Sequence, residues 1–290
     1  MFKGSIVALV TPFKSTGEID FDTYGRLVDW HLDQETDGIV PCGCTGEAAT
    51  LSHDEQKQCI RFVVERVRGR IPVIAGAGSN NTLEALSLTR FAKEAGADAA
   101  LLIMPYYNKP TPAGQIAHFT TIAEGVDLPI VLYNVPSRTA MPMLPETVAT
   151  LSKIPNIVAI KEAGGSVDQV SQILSECRIT VLSGDDSLTL PMMAVGATGV
   201  ISVAANVMPK RVAALCAEWS AGNSEAARRI HFELFPLFKA LFIETNPMPV
   251  KAALARMGLI ENRLRLPLTP MLPEKFAPLA AVLERLGVIG

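Results

Sequence analysis

Asn156-Ile-Val-Ala-Ile-Lys161-Glu162-Ala-Gly-Gly165 is a nearly continuous apolar run that closes on two charged residues and a pair of glycines. A strand covered on one face alternates apolar and polar residues, whereas a parallel strand covered on both faces is apolar throughout. This run reads as the second kind. Seven others share its character: Ser5–Phe13, Gly38–Gly46, Ile71–Gly78, Ala99–Tyr106, Pro129–Pro136, Ile179–Asp186 and Gly199–Asn206. Most of the intervening segments are amphipathic; Thr82–Ala95 sets Leu83, Leu86, Leu88, Phe91 and Ala92 among polar positions. Pro72, Pro129 and Gly38 stand at joins where a helix has to stop. Eight β–α units in strict alternation predict an α/β fold, a (β/α)₈ TIM barrel, with an open doubly wound sheet as the alternative.

Beyond Asn206 the strand pattern ends. Pro209–Ala221 reads as the eighth helix, and Glu225–Ile243, Pro249–Met257 and Glu274–Leu286 as further helices. The chain is therefore divided into a barrel, residues 1–222, and a C-terminal helical extension, residues 223–290. Its 290 residues match a barrel of about 250 residues plus an appendage.

Composition removes several classes of function. Hydrophobic residues make up 49% and charged residues 19%, which suits a large core and opposes disorder. The net charge of −3, with no basic cluster, argues against nucleic acid. No apolar run approaches the roughly 18 residues of a membrane span, and the amino terminus lacks the pattern of a secretory signal. A soluble cytoplasmic protein is expected. Cys42, Cys44, Cys59, Cys177 and Cys216 form no C-x-x-C pair, and His31, His53, His118 and His231 never fall at i, i+4. Neither a disulfide framework nor a metal site is expected. Gly76-Ala-Gly78 is not a dinucleotide fingerprint, and no cofactor is expected.

In a TIM barrel the chemistry sits at the C-terminal ends of the strands. Alternation puts Ile157, Ala159 and Lys161 on one face. If that face is the barrel interior, desolvation favours the neutral amine and makes Lys161 a nucleophile near neutral pH. A lone strand-end lysine more often reaches for solvent, so the neighbours decide. Tyr133 holds the equivalent position on the fifth run, where a phenol can both donate and accept a proton. Arg138 follows above the mouth and suits a bidentate grip on a carboxylate. The second run ends Cys42-Gly-Cys44-Thr45-Gly46-Glu47, a turn whose glycines let backbone approach a ligand. After the seventh run, the adjacent acids Asp185 and Asp186 oppose a phosphate. Together these features predict carbonyl chemistry on an acidic substrate.

The same residues carry a resemblance along the whole chain. Gly4–Pro12, Gly43-Cys-Thr-Gly-Glu47, Tyr133–Thr139, Ile160-Lys-Glu-Ala163, Leu182–Asp186, Gly199–Val203, Asn246-Pro-Met-Pro-Val-Lys251 and Leu266–Pro270 resemble the dihydrodipicolinate synthase family. This family falls within the pyruvate-dependent N-acetylneuraminate lyase superfamily of class I aldolases. The resemblance implies a lyase that joins pyruvate to L-aspartate-4-semialdehyde through a Lys161 Schiff base, giving 4-hydroxy-tetrahydrodipicolinate for lysine and diaminopimelate synthesis. It implies that Tyr133 shuttles protons, that Thr45 and the backbone near Ile201 hold pyruvate, and that Arg138 binds the semialdehyde carboxylate. Gly184 would line the entrance. Tyr107 would complete the relay in a neighbouring subunit, so a homodimer or a dimer of dimers is expected. The competing readings are a sugar-acid lyase of the same superfamily and a non-catalytic small-acid sensor.

Two departures stand out. Family members that respond to lysine bind it at a subunit-interface cleft. Ala49, His53, Asn80, Glu84 and Tyr106 match that cleft, but Gln56 replaces the His or Glu often found in sensitive members. Cys44 stands where the family's relay usually has Thr. A thiol is a weaker donor than a hydroxyl. Cys44→Thr or Cys44→Ser is therefore expected to keep or raise turnover, and Cys44→Val to lower it. Steady-state rates of all three equal to the parent's would remove position 44 from the proton path.

Overall fold

The computed structural model describes residues 2–290. Its eight strands are β1 (Gly4–Ala8), β2 (Gly38–Val40), β3 (Ile74–Gly76), β4 (Ala99–Ile103), β5 (Ile130–Asn134), β6 (Ile157–Glu162), β7 (Thr180–Ser183) and β8 (Gly199–Ser202). Each pairs in parallel with its sequence neighbours except β2 with β3, and β8 pairs with β1. The ring closes between β2 and β3 through an Ile39–Val73 bridge. There the Ile39 N–H donates to the Pro72 carbonyl at 3.0 Å and the Gly76 N–H to that of Pro41 at 2.9 Å. The (β/α)₈ barrel is thus the observed fold.

The apolar runs begin near the strands and outlast them. Leu9, Val10 and Phe13 after β1, Met104 after β4, and Val203 to Ala205 after β8 are all buried without being strand. These residues form loops folded over the barrel mouth, so burial there reflects a lid of backbone rather than a longer sheet.

Side chains divide into two apolar layers. Phe2, Ile6, Val40, Ile74, Leu101, Val131, Leu182 and Ile201 fill the interior. Val7, Ile39, Leu102, Leu132, Ile160 and Val181 belong to the larger cluster under the helices. One expectation is corrected here. Ile157 lies in the outer cluster, not on the face of Ala159 and Lys161. The pairing of β5 with β6 slips between Ile130–Ile157 and Val131–Ala159, leaving Val158 as an extra residue. One extra residue reverses the face of everything before it.

The predicted helices are observed within a few residues of their expected ends: Thr82–Glu94, Pro209–Ser220, Ser224–Ala240, Met248–Arg256 and Pro273–Arg285. Local chemistry explains several starts. Asn81 caps the first of these through the Leu83 N–H at 3.0 Å, and Ser52 and Glu55 form a reciprocal capping box before His53–Val67. In the C-terminal extension, Leu234, Leu237, Phe238, Leu279 and Leu283 join the outer apolar layer of the barrel itself. Among the described residues, no helix is long and apolar enough to cross a membrane.

Candidate active site

A cavity of 610 Å³ opens above the barrel, and Lys161, Tyr133, Arg138, Cys44, Thr45 and Gly184 all line it. The β5–β6 register sets Tyr133 directly opposite Lys161. The amine lies over the face of the ring, 4.2 Å from its centroid, a cation–π placement rather than a contact at the hydroxyl. Lys161 is 6% exposed. Burial, reinforced by the Arg138 charge, brings its pKa down to about 8, against partial opposition from Cys44 and Asp186. At pH 7 a pKa of 8 leaves about a tenth of the amine neutral, roughly 300 times more than an ordinary lysine. Burial and the neighbouring Cys44 thiol push the Tyr133 phenol upward, with Arg138 working the other way. Tyr133 is therefore a protonated donor at neutral pH.

The residue after Lys161 faces the opposite way and fastens the strand. Glu162 accepts from Asn134 Nδ2 at 3.0 and 2.9 Å, from the Gly164 N–H at 2.6 Å and from Gln169 Nε2 at 3.1 Å. Asn134 in turn accepts from the Met143 N–H at 2.9 Å. The tops of β5 and β6 are thus pinned together one residue above the Tyr133–Lys161 pair. On the other flank, a Cβ on Gly184 would lie 3.0 Å from Lys161 Cε and 2.7 Å from Ala163 Cβ. Only glycine lets the lysine stem pass without moving a neighbour. Asp186 is buried; it accepts from Ser202 Oγ and from the Val203 and Ala204 N–H groups at 3.1 and 3.0 Å, tying the loop after β8 to that after β7.

The turn carrying Cys44 and Thr45 is held by the C-terminal extension. Cys42 and Glu47 adopt positive φ at its two ends. Gly76 faces the carbonyl of Cys42 so closely that a Cβ there would lie 2.0 Å from it. Glu47 and Lys251 form a fully buried ion pair. Lys251 also donates to the Arg263 carbonyl at 2.8 Å and stands 4.2 Å from the Phe13 ring centroid. Glu47 takes a second bond from the Arg265 N–H at 3.1 Å. Asn246 Nδ2 donates to Thr45 Oγ1 at 3.0 Å, and Arg138 Nη2 donates to the Asn246 carbonyl at 3.0 Å. A buried amine, a buried phenol, a guanidinium and a donor turn around one cavity suit imine chemistry on a carboxylate-bearing carbonyl compound.

The model of the dihydrodipicolinate synthetase family matches residues 1–286. The chain belongs to this family. A 4-hydroxy-tetrahydrodipicolinate synthase from Pelobacter propionicus is 55% identical over 291 residues and covers all of both chains. The crystal structure of dihydrodipicolinate synthase from Aquifex aeolicus has a TM-score of 0.97 and 52% identity over 99% of each chain. That of a chloride-inhibited dihydrodipicolinate synthase from Acinetobacter baumannii, complexed with pyruvate, has a TM-score of 0.98 and 45% identity over both entire chains.

Of the residues expected at this family's site, two do not line the cavity. Ile201 is buried in the inner layer of the barrel, and Val203 forms the wall above it. Tyr107 points away into solvent, 89% exposed, with φ of 70°. The expected lysine-cleft residues gather on one outer face: His53 Nε2 is 3.8 Å from Glu84 Oε2, Ser79 donates to Glu84 at 2.8 Å, and Asn80 donates to the Tyr106 carbonyl at 3.1 Å. Ala49, Tyr106 and Gln56 border the adjoining cleft. Among the described residues, no group of His, Cys, Asp or Glu is placed to hold a metal ion.

The sequence assigns no role to Glu47, Asn246 or Lys251, and it reads Asp186 only as an acid that opposes a phosphate. The available signal was a polar residue embedded in an apolar run, as in Met248-Pro-Val-Lys251-Ala-Ala, where a lysine interrupts a buried helix. Gly184→Ala is expected to cost about 1–3 kcal/mol of stability through overpacking. It should also slow borohydride trapping of Lys161 by a small 2-keto acid by about tenfold or more. Parent-like trapping in the folded variant would show that this close approach does not position the amine.

Proposed function

We infer that the chain is a 4-hydroxy-tetrahydrodipicolinate synthase, which joins pyruvate to L-aspartate-4-semialdehyde in lysine biosynthesis. The observation that carries this reading is the buried Lys161 amine, set opposite Tyr133 in a full-length member of the family. The Lys161 amine adds to C2 of pyruvate. A proton delivered by Tyr133 lets the resulting hydroxyl leave as water, giving the imine. Loss of a C3 proton gives the enamine, whose C3 attacks the aldehyde carbon of the second substrate. The amine of that substrate then attacks the imine carbon, closes the ring and releases Lys161.

The remaining roles follow from position. Thr45 and the main chain around Ile201 hold pyruvate, Arg138 holds the semialdehyde carboxylate, and Gly184 keeps the entrance open beside Lys161. Cys44 lines the same cavity as Tyr133 and passes its proton outward. We propose that Tyr107 of a second copy completes this path, in a homodimer or a tetramer built from two dimers. Two features support that assembly: the exposed Tyr107 ring, and a second cavity of 340 Å³ bounded by Cys44, Ile103, Gly78 and Tyr106. Residues 223–290 serve the barrel as an appendage, as the reach of Asn246 into the mouth and of Lys251 to Glu47 supports. The free cysteines support a place in the cytoplasm.

Pyruvate with borohydride should add mass to a single peptide, the one containing Lys161, and no adduct would overturn the mechanism. Turnover with aspartate semialdehyde and not with sugar aldehydes separates this reading from a sugar-acid lyase. We further propose that the cleft of Ala49, His53, Asn80, Glu84 and Tyr106 takes L-lysine, with Glu84 facing the ligand's ammonium. Initial rates should then fall as L-lysine is raised; a flat titration to millimolar concentration would exclude the site.

A further inference from the structure

Thr45 is buried, and its Oγ1 accepts from Asn246 Nδ2 at 3.0 Å. A hydroxyl carries one proton and two lone pairs. Since Asn246 donates into a lone pair, the single Thr45 proton is left for another acceptor. A substrate carboxylate needs such a donor, and the cavity that Thr45 lines is where it would sit. Were the bond reversed, Thr45 would spend its proton on residue 246 and turn lone pairs toward an anion. The direction of this one hydrogen bond therefore decides whether Thr45 attracts or repels a carboxylate.

The main chain of Asn246 is tied down, and its carboxamide makes the single bond to Thr45 while its Oδ1 has no partner among the described residues. Its main-chain carbonyl accepts from Arg138 Nη2 at 3.0 Å. Five residues further on, Lys251 is locked in the buried pair with Glu47, which lies two residues after Thr45 in the same turn. The main-chain segments that carry the carboxamide and the hydroxyl are thus joined by a common clamp. The side chain of Asn246 meets Thr45, while its backbone meets Arg138.

We propose that Asn246 is a positioning residue that aims the Thr45 hydroxyl proton at the carboxylate of pyruvate, an inference that rests on the pyruvate chemistry proposed above. It separates the two substrates. The side-chain bond serves pyruvate, and the main-chain bond, which survives substitution, serves the semialdehyde through Arg138.

The test is a set of substitutions at position 246, alone and combined with Thr45→Val. Asn246→Ala removes the donor and should raise the pyruvate KM by about tenfold, as expected for one lost hydrogen bond. Asn246→Ser, a smaller change, should follow it. Asn246→Asp leaves an ionised group that can only accept. It would draw the Thr45 proton to itself and set a second anion beside pyruvate, so its KM should rise further, by about a hundredfold. In every case the KM for aspartate semialdehyde at saturating pyruvate should change less than twofold. In the Thr45→Val background, Asn246→Ala should add less than twofold to the pyruvate KM.

A folded Asn246→Asp with a parental pyruvate KM would overturn the proposal, because it would show that position 246 accepts from Thr45. So would equal rises in both KM values, or an undiminished effect of Asn246→Ala when Thr45 is Val; either marks a merely structural role. If Asp fails to fold, Ala and Ser with a parental pyruvate KM overturn it equally. Borohydride trapping of the parent with saturating pyruvate tells the failures apart. A parent that forms the Lys161 adduct leaves only the role of Asn246 in question, and a parent that forms none removes the pyruvate reading itself.

Discussion

Everything at the mouth of this barrel depends on keeping one amine dry. The interior beneath Lys161 is filled by Phe2, Ile6, Val40, Ile74, Leu101, Val131 and Leu182, so no water column reaches the ammonium from below. Desolvation disfavours its charged form and is the first cause of its lowered pKa. The opposing carboxylate is kept at arm's length. Asp186 raises the amine's pKa as a charge without pairing with it, its own oxygens being occupied by Ser202, Val203 and Ala204. Had Asp186 been free to approach, an ion pair would have occupied the amine and opposed the effect of burial. The two neighbouring acids after β7 are therefore structural: Asp185 caps the following turn through Ser187, and Asp186 holds the β8 loop.

A second buried lysine shows the opposite solution. Lys251 is as deeply enclosed as Lys161, and burial again brings its pKa down to about 8 even with a carboxylate beside it. Glu47 pairs with it, and Arg263 and Phe13 occupy its remaining surface. Breaking such a pair on one side typically costs about 3–5 kcal/mol, whereas replacing both members by apolar residues is often neutral. Bulk stability alone thus gives little reason for the pair to exist. Its geometric effect is specific: it joins the turn of Thr45 to the helix that follows Asn246.

The sequence made the barrel legible because parallel strands buried on both faces leave continuous apolar runs that no polar surface strand would. It also carried the three side chains that meet at the mouth, since Lys161, Tyr133 and Arg138 interrupt or follow such runs. Strand lengths were less legible. An apolar loop folded over a barrel end and a strand within it look alike in composition, as Val203–Ala205 shows. The inward face of β6 was misread at Ile157, because a bulge at Val158 leaves no trace in a run of uniformly apolar residues. The supports at Glu47, Asn246 and Lys251 were illegible for another reason: their meaning is a contact between residues about two hundred positions apart.

That separation has a physical consequence. Thr45 and Asn246 are 201 residues apart in the chain, and Arg138 and the Asn246 carbonyl 108. Neither bond can form within a local element, so the polar half of the site exists only when the extension has docked on the closed barrel. The apolar half is supplied by the barrel, whose β5–β6 register sets Lys161 against Tyr133 and whose packed interior lies beneath the amine. A chain with a barrel but a displaced extension would keep Lys161 opposite Tyr133 and lose the alignment of its carboxylate-binding groups. Substrate capture is in this way tied to completion of the whole fold, while the pairing of Lys161 with Tyr133 is set by the sheet.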